Sequence, residues 1–188
     1  MNVYDFDNTI YDGESVVDFY LFLLRYNPRL LMLFPKMVYM LVCYKLCKIT
    51  EDQLLIEAEK YIKKIFDEND IEKFIPKFWD ENAKKIKRFY LDSKREDDVI
   101  LSASADILIS EICKRIGVKN VVASKVDAES GKVIRLCYRS NKIKIFKELF
   151  PEAVVDKFYT DSMNDSPMFE IAKQVFIVKG NKIEEFKL

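Results

Sequence analysis

"YDFDNTIYDGES", residues 4–15, places two aspartates two positions apart and then a threonine almost at the start of the chain. An acidic surface turn uses such residues. So does an active site that needs two carboxylates side by side. The run before them, NVYDF (2–6), reads as a short strand. The segments after that strand decide the fold.

From Glu14 to about Arg95 the apolar pattern is helical. Val16, Phe19, Tyr20, Leu23 and Leu24 recur at helical spacing. Asn27-Pro28 resets the chain, with Asn as cap and Pro as the first helical residue. The next segment, 28–47, is very apolar. Thr50 and Gln53 form a capping box that opens a helix to about Phe66. Asn69 or Asp70 starts another, reaching about Leu91 and bent at Pro76.

After Glu96 the texture changes. DVILSAS (98–104) reads as a buried strand, followed by a helix over 105–116 that stops at Gly117. NVVAS (120–124) is a further strand. Residues 126–138 read as a hairpin turning near Ser130-Gly131. Then come a helix (140–149), a strand (154–161), a helix near 165–173 and a last strand (174–179). Strands alternating with helices imply an α/β fold with a Rossmann-like, mostly parallel sheet. The all-helical block is inserted after the first strand. The expected layout is a core of residues 1–13 and 96–188 with a helical cap of 14–95.

Composition narrows the chemistry. The 188 residues suit one globular unit, or a core with a modest insertion. Lys plus Arg equals Asp plus Glu at 31 each, so no bulk charge calls for nucleic acid. Histidine is absent. That removes histidine metal sites and Ser-His triads, and leaves acid–base work to carboxylates, Lys, Tyr or Cys. Cys43, Cys47, Cys113 and Cys137 form no CxxC pair. Because the first residues read as a strand, no signal peptide is expected. Reduced thiols in a cytoplasmic protein are the simplest expectation, with Cys43 and Cys47 on one helix face as small core residues.

In an open α/β sheet, ligands bind outside the carboxyl ends of the strands. Three strand ends here carry chemistry: Asp5-Phe6-Asp7-Asn8-Thr9, Ser102-Ala103-Ser104, and TDSMNDSPM with Asp161, Asn164 and Asp165. Lys142 opens the helix before the last of these. Each has a plain structural reading alone: a turn, a helix cap, or, for Lys142 beside Lys144 and Lys147, a solvated face. Together they would bring carboxylates, a hydroxyl and a lysine to one edge.

That ordered set resembles the haloacid dehalogenase superfamily of aspartate-dependent phosphatases, in the branch similar to phosphoserine phosphatase. The branch reads DxDxT, a hydrophobic run ending in Ser/Thr, a Lys and then (G)DxxxD, with a helical cap between the first two motifs. The resemblance covers nearly the whole chain. It departs at Asn8 and Thr160, where the family often has Gly. It implies a Mg2+-dependent phosphatase that hydrolyses a phosphomonoester through an aspartyl phosphate on Asp5. Asp7 would be the general acid and then the base. Asp5, the Asp7 backbone carbonyl and Asp161 would hold Mg2+, supported by Asn164 or Asp165. Ser102, with Ala103 and Thr9, would hold the phosphate, and Lys142 would offset charge on Asp5 and the phosphoryl group.

Glu14 stands nine after the nucleophile, where phosphoserine phosphatases carry a substrate-binding glutamate. A helix-start acid facing the helix dipole is the simpler reading. The implied substrate is a small phosphorylated metabolite such as phosphoserine, or a phospholipid-type phosphomonoester. Residues 30–44 contain one charge and are interrupted at Pro35 and Lys36, short of the about 20 apolar residues of a membrane span. They read as cap core. Weak membrane-surface contact through 28–47, at the inner face, is the functional alternative. A phosphotransferase or mutase using the same aspartyl phosphate is the rival activity, and a non-catalytic membrane-surface binder the rival class.

Overall fold

The computed structural model describes residues 1–187, the side chains of residues 41, 45 and 51 excepted. The strands are β1 (Asn2–Tyr4), β2 (Val99–Ala105), β3 (Asn120–Val126), β4 (Val133–Arg135), β5 (Val155–Thr160), β6 (Ala172–Lys179) and β7 (Lys182–Phe186). They form one sheet in the order β4-β3-β2-β1-β5-β6-β7. β1 lies at the centre and pairs in parallel with β2 and β5; β2–β3 and β5–β6 are also parallel. The two edge strands, β4 and β7, are antiparallel. The α/β class with a mostly parallel sheet is as the sequence implies.

Alternation along β1 sends Val3 to one side of the sheet and Tyr4 to the other, into two separate buried apolar clusters. Tyr4 stacks on Tyr159 at 4.6 Å, and Tyr159 on Phe176 at 4.8 Å, which makes an aromatic ladder across β1, β5 and β6. The helices are α1 (Ser15–Leu24), α2 (Phe34–Lys45), α3 (Glu51–Glu68), α4 (Ile71–Asn82), α5 (Arg88–Ser93), α6 (Asp106–Arg115), α7 (Ser140–Leu149) and α8 (Ser166–Phe169). α1, α4 and α6 pack on the Tyr4 side; α7 and α8 pack on the Val3 side. The helical insertion shares the core of the sheet: Phe78 and Trp79 of α4 are fully buried, and Trp79 Nε1 donates to the Leu108 carbonyl of α6 at 2.8 Å.

Several local signals act as expected. Thr50 Oγ1 accepts from Gln53 N–H at 3.2 Å while Gln53 Oε1 accepts from Thr50 N–H at 2.9 Å, the reciprocal box that opens α3. Asp70 caps α4. Gly117 ends α6 with φ +75°, and the Val118 N–H returns to the Cys113 carbonyl at 2.8 Å.

Other expectations are corrected. The helix expected from Asp70 to Leu91 runs through Pro76 but stops after Asn82 and resumes as α5. Tertiary pairing takes the chain between. Asp12 N–H donates to the Lys85 carbonyl at 2.9 Å, Lys87 N–H donates to the Ile10 carbonyl at 2.7 Å, and Ile86 is buried. The helix expected near 165–173 is only α8, because β6 already begins at Ala172. The hairpin is made by β3 itself, which runs on to Val126 and pairs with β4. β7 carries no alternating signal, because all five of its residues are exposed. Cys47 lies beyond the end of α2 with φ +54° and is exposed, so it shares no helix face with buried Cys43. Residues 28–47 are not simply core. Leu30, Leu33 and Cys43 are buried, but Leu31, Met32, Tyr39 and Leu46 are 59–77% exposed. Asn27 caps a 3-10 turn (Pro28–Leu33) rather than an α-helix. No helix among the described residues is long and apolar enough to cross a membrane.

Candidate active site

The site forms where β1, β2 and β5 end. After β1 the chain turns tightly, and the N–H groups of Thr9, Ile10 and Tyr11 all point at the Phe6 carbonyl at 3.0–3.3 Å. Asn8 makes this turn with φ +56°. That conformation favours Gly, and Asn is among the few other residues that tolerate it. The Asn8 departure from the motif therefore keeps the backbone geometry. Lys87 is almost fully buried and clamps the turn, with Nζ donating to the Asn8 carbonyl at 2.5 Å and the Gly180 carbonyl at 2.9 Å.

Asp5 is buried at the mouth of this turn. Lys142, carried by the first turn of α7, reaches it: Nζ donates to Asp5 Oδ1 at 2.7 Å and to Asp165 Oδ2 at 2.8 Å. Lys142 is 3% exposed, so its solvated-face reading fails. Thr160 Oγ1 also donates to Asp165 Oδ2, at 2.9 Å, and accepts from Ser162 N–H at 3.1 Å. The second departure from the motif thus supplies a side chain that holds Asp165 in place. Thr9 Oγ1 makes a long contact to Asp5 Oδ2 at 3.5 Å.

Electrostatics follow from burial. Loss of water pushes the Asp5 carboxyl up to about 7; Lys142 pulls against this, and Asp165 and Asp161 add to it. Burial also raises Asp161, opposed by its hydrogen bond with Asp5. For Lys142, burial disfavours the charge, but Asp5 and Asp165 outweigh it and hold the ammonium above its usual range. The cluster is therefore rich in negative charge: Asp5 and Asp165 share Lys142, and Asp161 adds a third carboxylate beside them.

Asp7 is held apart from that cluster. Its Oδ1 accepts from Ser15 N–H at 2.6 Å and its Oδ2 from Ser104 Oγ at 2.5 Å. The hydroxyls of Ser15 and Ser104 lie 3.1 Å apart. Ser102, also buried, accepts from Ser104 N–H at 3.1 Å, and exposed Ala103 faces the cleft beside it. Glu14 precedes α1 but makes no side-chain cap; its Oε1 accepts from Asn8 Nδ2 at 2.6 Å. Burial and the Asp7 charge raise its carboxyl. Asn164 is exposed in a 3-10 turn (Met163–Asp165), where its N–H donates to Ser162 Oγ at 3.2 Å.

Asp5, Asp161, Asp165, Lys142 and Thr9 thus come together, with Asp7 and the 102–104 strand end alongside. Sequence reasoning misses Ser15, Ser104, Lys87 and Thr160. The second serine of Ser-Ala-Ser is the one legible signal for Ser104. Lys87 is hidden in a run of surface-type lysines.

A family model of the haloacid dehalogenase-like hydrolases matches residues 3–170. Among solved structures, a protein of unknown function from Bordetella pertussis Tohama I has a TM-score of 0.70 at 17% identity, over 93% of this chain and 87% of its own. A HAD family hydrolase from Salmonella enterica serovar Typhi has a TM-score of 0.53 at 15% identity, over 90% of this chain and 59% of its own. A phosphoserine phosphatase, solved as an analogue of its phospho-aspartyl intermediate, has a TM-score of 0.50 at 15% identity, over 92% and 83%. These likenesses concern the fold. No curated protein matches the chain. The family match runs from β1 through α8 and takes in every strand end that carries the cluster, and on it the chain belongs to the haloacid dehalogenase-like hydrolases.

Proposed function

We propose that the protein is a Mg2+-dependent phosphomonoesterase that works through an aspartyl phosphate on Asp5. The observation that carries this is the separation of two carboxylates from one short stretch. Asp5 is paired with Lys142 in a buried cluster, while Asp7 is held by Ser15 and Ser104. One is suited to act as nucleophile and the other as proton carrier.

An Asp5 oxygen attacks phosphorus, the phosphorus–oxygen bond to the leaving alcohol breaks, and Asp7 gives that oxygen its proton. Asp7 then takes a proton from water as the water oxygen attacks phosphorus and the bond to Asp5 breaks, which restores Asp5 as a carboxylate and Asp7 as the acid. Lys142 balances negative charge at Asp5 and the phosphoryl oxygens. Ser102 and the backbone N–H groups after it receive a phosphate oxygen.

The donor chemistry fits a hard cation. Asp5 shares Lys142 with Asp165, Asp161 adds further negative charge beside it, and burial raises both Asp5 and Asp161, so the group lacks positive charge. Among the described residues no group of three or more Asp, Glu or Cys side chains forms a ready cage. Asp5, Asp161 and the Asp7 backbone carbonyl would hold Mg2+, with Asn164 or Asp165 acting through water, an oxygen-only set that suits an ion that keeps several waters. When bound, the ion supplies charge that lets a phosphate approach Asp5.

The test is release of free phosphate from a panel of phosphorylated metabolites and lipids, with and without Mg2+. Asp5→Asn is expected to abolish turnover while leaving the fold intact; turnover at the wild-type rate would sink the mechanism. An added alcohol acceptor that takes the phosphoryl group in place of water would identify a phosphotransferase.

A further inference from the structure

A cavity of about 480 Å³ lies between the inserted helices and the sheet. That is the size of a typical small-molecule site. Its floor is Ala103, Ser104 and Ala105, so it begins at the hydroxyl that holds Asp7. Its walls come from α1, α2, α3 and α4, with Phe19, Leu23, Met37, Leu55, Ile62 and Ile75 facing inward. No Lys, Arg, Asp or Glu among the described residues lines it. Two of its hydroxyls are already engaged: Tyr20 with the Leu30 carbonyl, and Ser124 with the Ala103 carbonyl.

An amino-acid ester would bring an ammonium and a carboxylate into this space. Neither would meet a counter-charge, and an unpaired buried charge is strongly disfavoured. A hydrocarbon chain meets the lining on equal terms. The outer end of the cavity also favours a chain. Val16, Val17, Phe34 and Val38 line it and are 41–54% exposed, so they form an apolar rim rather than a closed wall. The same segment also exposes Leu31 and Met32 on the 3-10 turn, Tyr39 on α2 and Leu46 just past its end. Scattered exposed apolar side chains are ordinary, but several on the same segment that supplies the cavity rim favour an apolar ligand there.

We propose that the substrate is a phosphomonoester of a long-chain amphiphile. Its phosphate sits at Asp5, its chain fills the cavity from Ser104 outward, and the chain end leaves past Val16 and Phe34. This rests on the phosphatase reading and names the substrate class for the same site.

The experiment uses butyl, octyl and dodecyl phosphate, each below its micelle concentration. Burying a methylene is worth about 0.8 kcal/mol, a ceiling of about fourfold in kcat/KM per carbon. Dodecyl phosphate is expected to exceed butyl phosphate by more than about 100-fold. Ala58→Phe, which fills the cavity from α3, is expected to cut the dodecyl-to-butyl ratio by at least about tenfold. Calorimetry on Asp5→Asn, titrated with the same two esters, reads binding without turnover and is expected to show the same preference. Hydrolysis of all three esters at one kcat/KM, with equal binding, would overturn the proposal and leave the phosphatase reading standing. A ratio unmoved by Ala58→Phe would overturn it as well. Chain-length-dependent binding with no ester hydrolysed would support the cavity assignment and defeat the hydrolytic reading.

Discussion

The Ser104 hydroxyl donates to Asp7 Oδ2 at 2.5 Å and lies 3.1 Å from the Ser15 hydroxyl. A hydroxyl can donate or accept as its proton turns. When Asp7 carries a proton, Ser104 can accept it and donate to Ser15 instead. Ser104 is thus a positioning residue that serves Asp7 in both of its proposed states. Charge-assisted hydrogen bonds contribute about 1.5–3 kcal/mol. Ser104→Ala is expected to lower kcat by roughly 10- to 100-fold with KM little changed, and Ser104→Thr to recover most of the loss. Steady-state kinetics on the three proteins check this. A change confined to KM would refute the positioning role.

Lys142 is buried between Asp5 and Asp165. Breaking a buried ion pair from one side leaves uncompensated charge and costs about 3–5 kcal/mol. Lys142→Met is expected to lower unfolding stability by that order at pH 8 and to abolish turnover. Urea denaturation measures the first and phosphate release the second. A stability loss under about 1 kcal/mol would mean that the cluster relaxes or takes in water.

The burial of Asp5 has a pH signature. Its folded carboxyl is raised to about 7 from 3.8, mainly by loss of water. Folding therefore favours the protonated form. The associated stability is fully present below about pH 4 and is lost as pH rises through about 7. Asp5→Asn removes the penalty. In chelator, with no divalent cation, the variant is expected to melt higher than wild type at pH 8, with the difference vanishing toward pH 4. Thermal melts across that range test the sign. A difference that grows toward acid pH would contradict it.

Asn8 holds a φ of +56° and donates to Glu14. The left-handed conformation costs an ordinary residue about 1–2 kcal/mol. Asn8→Ala is expected to lose at least that much, and Asn8→Gly clearly less, although both lose the Glu14 contact. Comparing the two by urea denaturation separates backbone strain from the side-chain bond.

Much of this architecture is legible in the sequence because its signals are local. DxDNT, the strand at 98–104, the capping box at Thr50 and the stop at Gly117 each sit within a few residues of what they specify. Lys142 is legible only through its spacing to Asp161, since its own neighbourhood is lysine-rich. The features that escape depend on distant partners. The break at 83–87 exists because Lys85 and Lys87 pair with the turn after β1. Ser104 and Ser15 meet across 89 positions. β7 is an exposed edge, where charged Lys182, Glu184 and Glu185 hide the periodicity of a strand.

Gly131 sits in the turn between β3 and β4 with φ +70°, where an added Cβ would come within 2.6 Å of the Lys63 backbone on α3. Glu59 of the same helix accepts from Val133 N–H at 2.9 Å. Residues of α3 and Val133 both line the apolar cavity. One methyl group at position 131 would act as a wedge, driving α3 away from the sheet without altering any lining side chain. The bore of the cleft is therefore set from outside it, by the single hydrogen atom that a glycine keeps in place of a side chain.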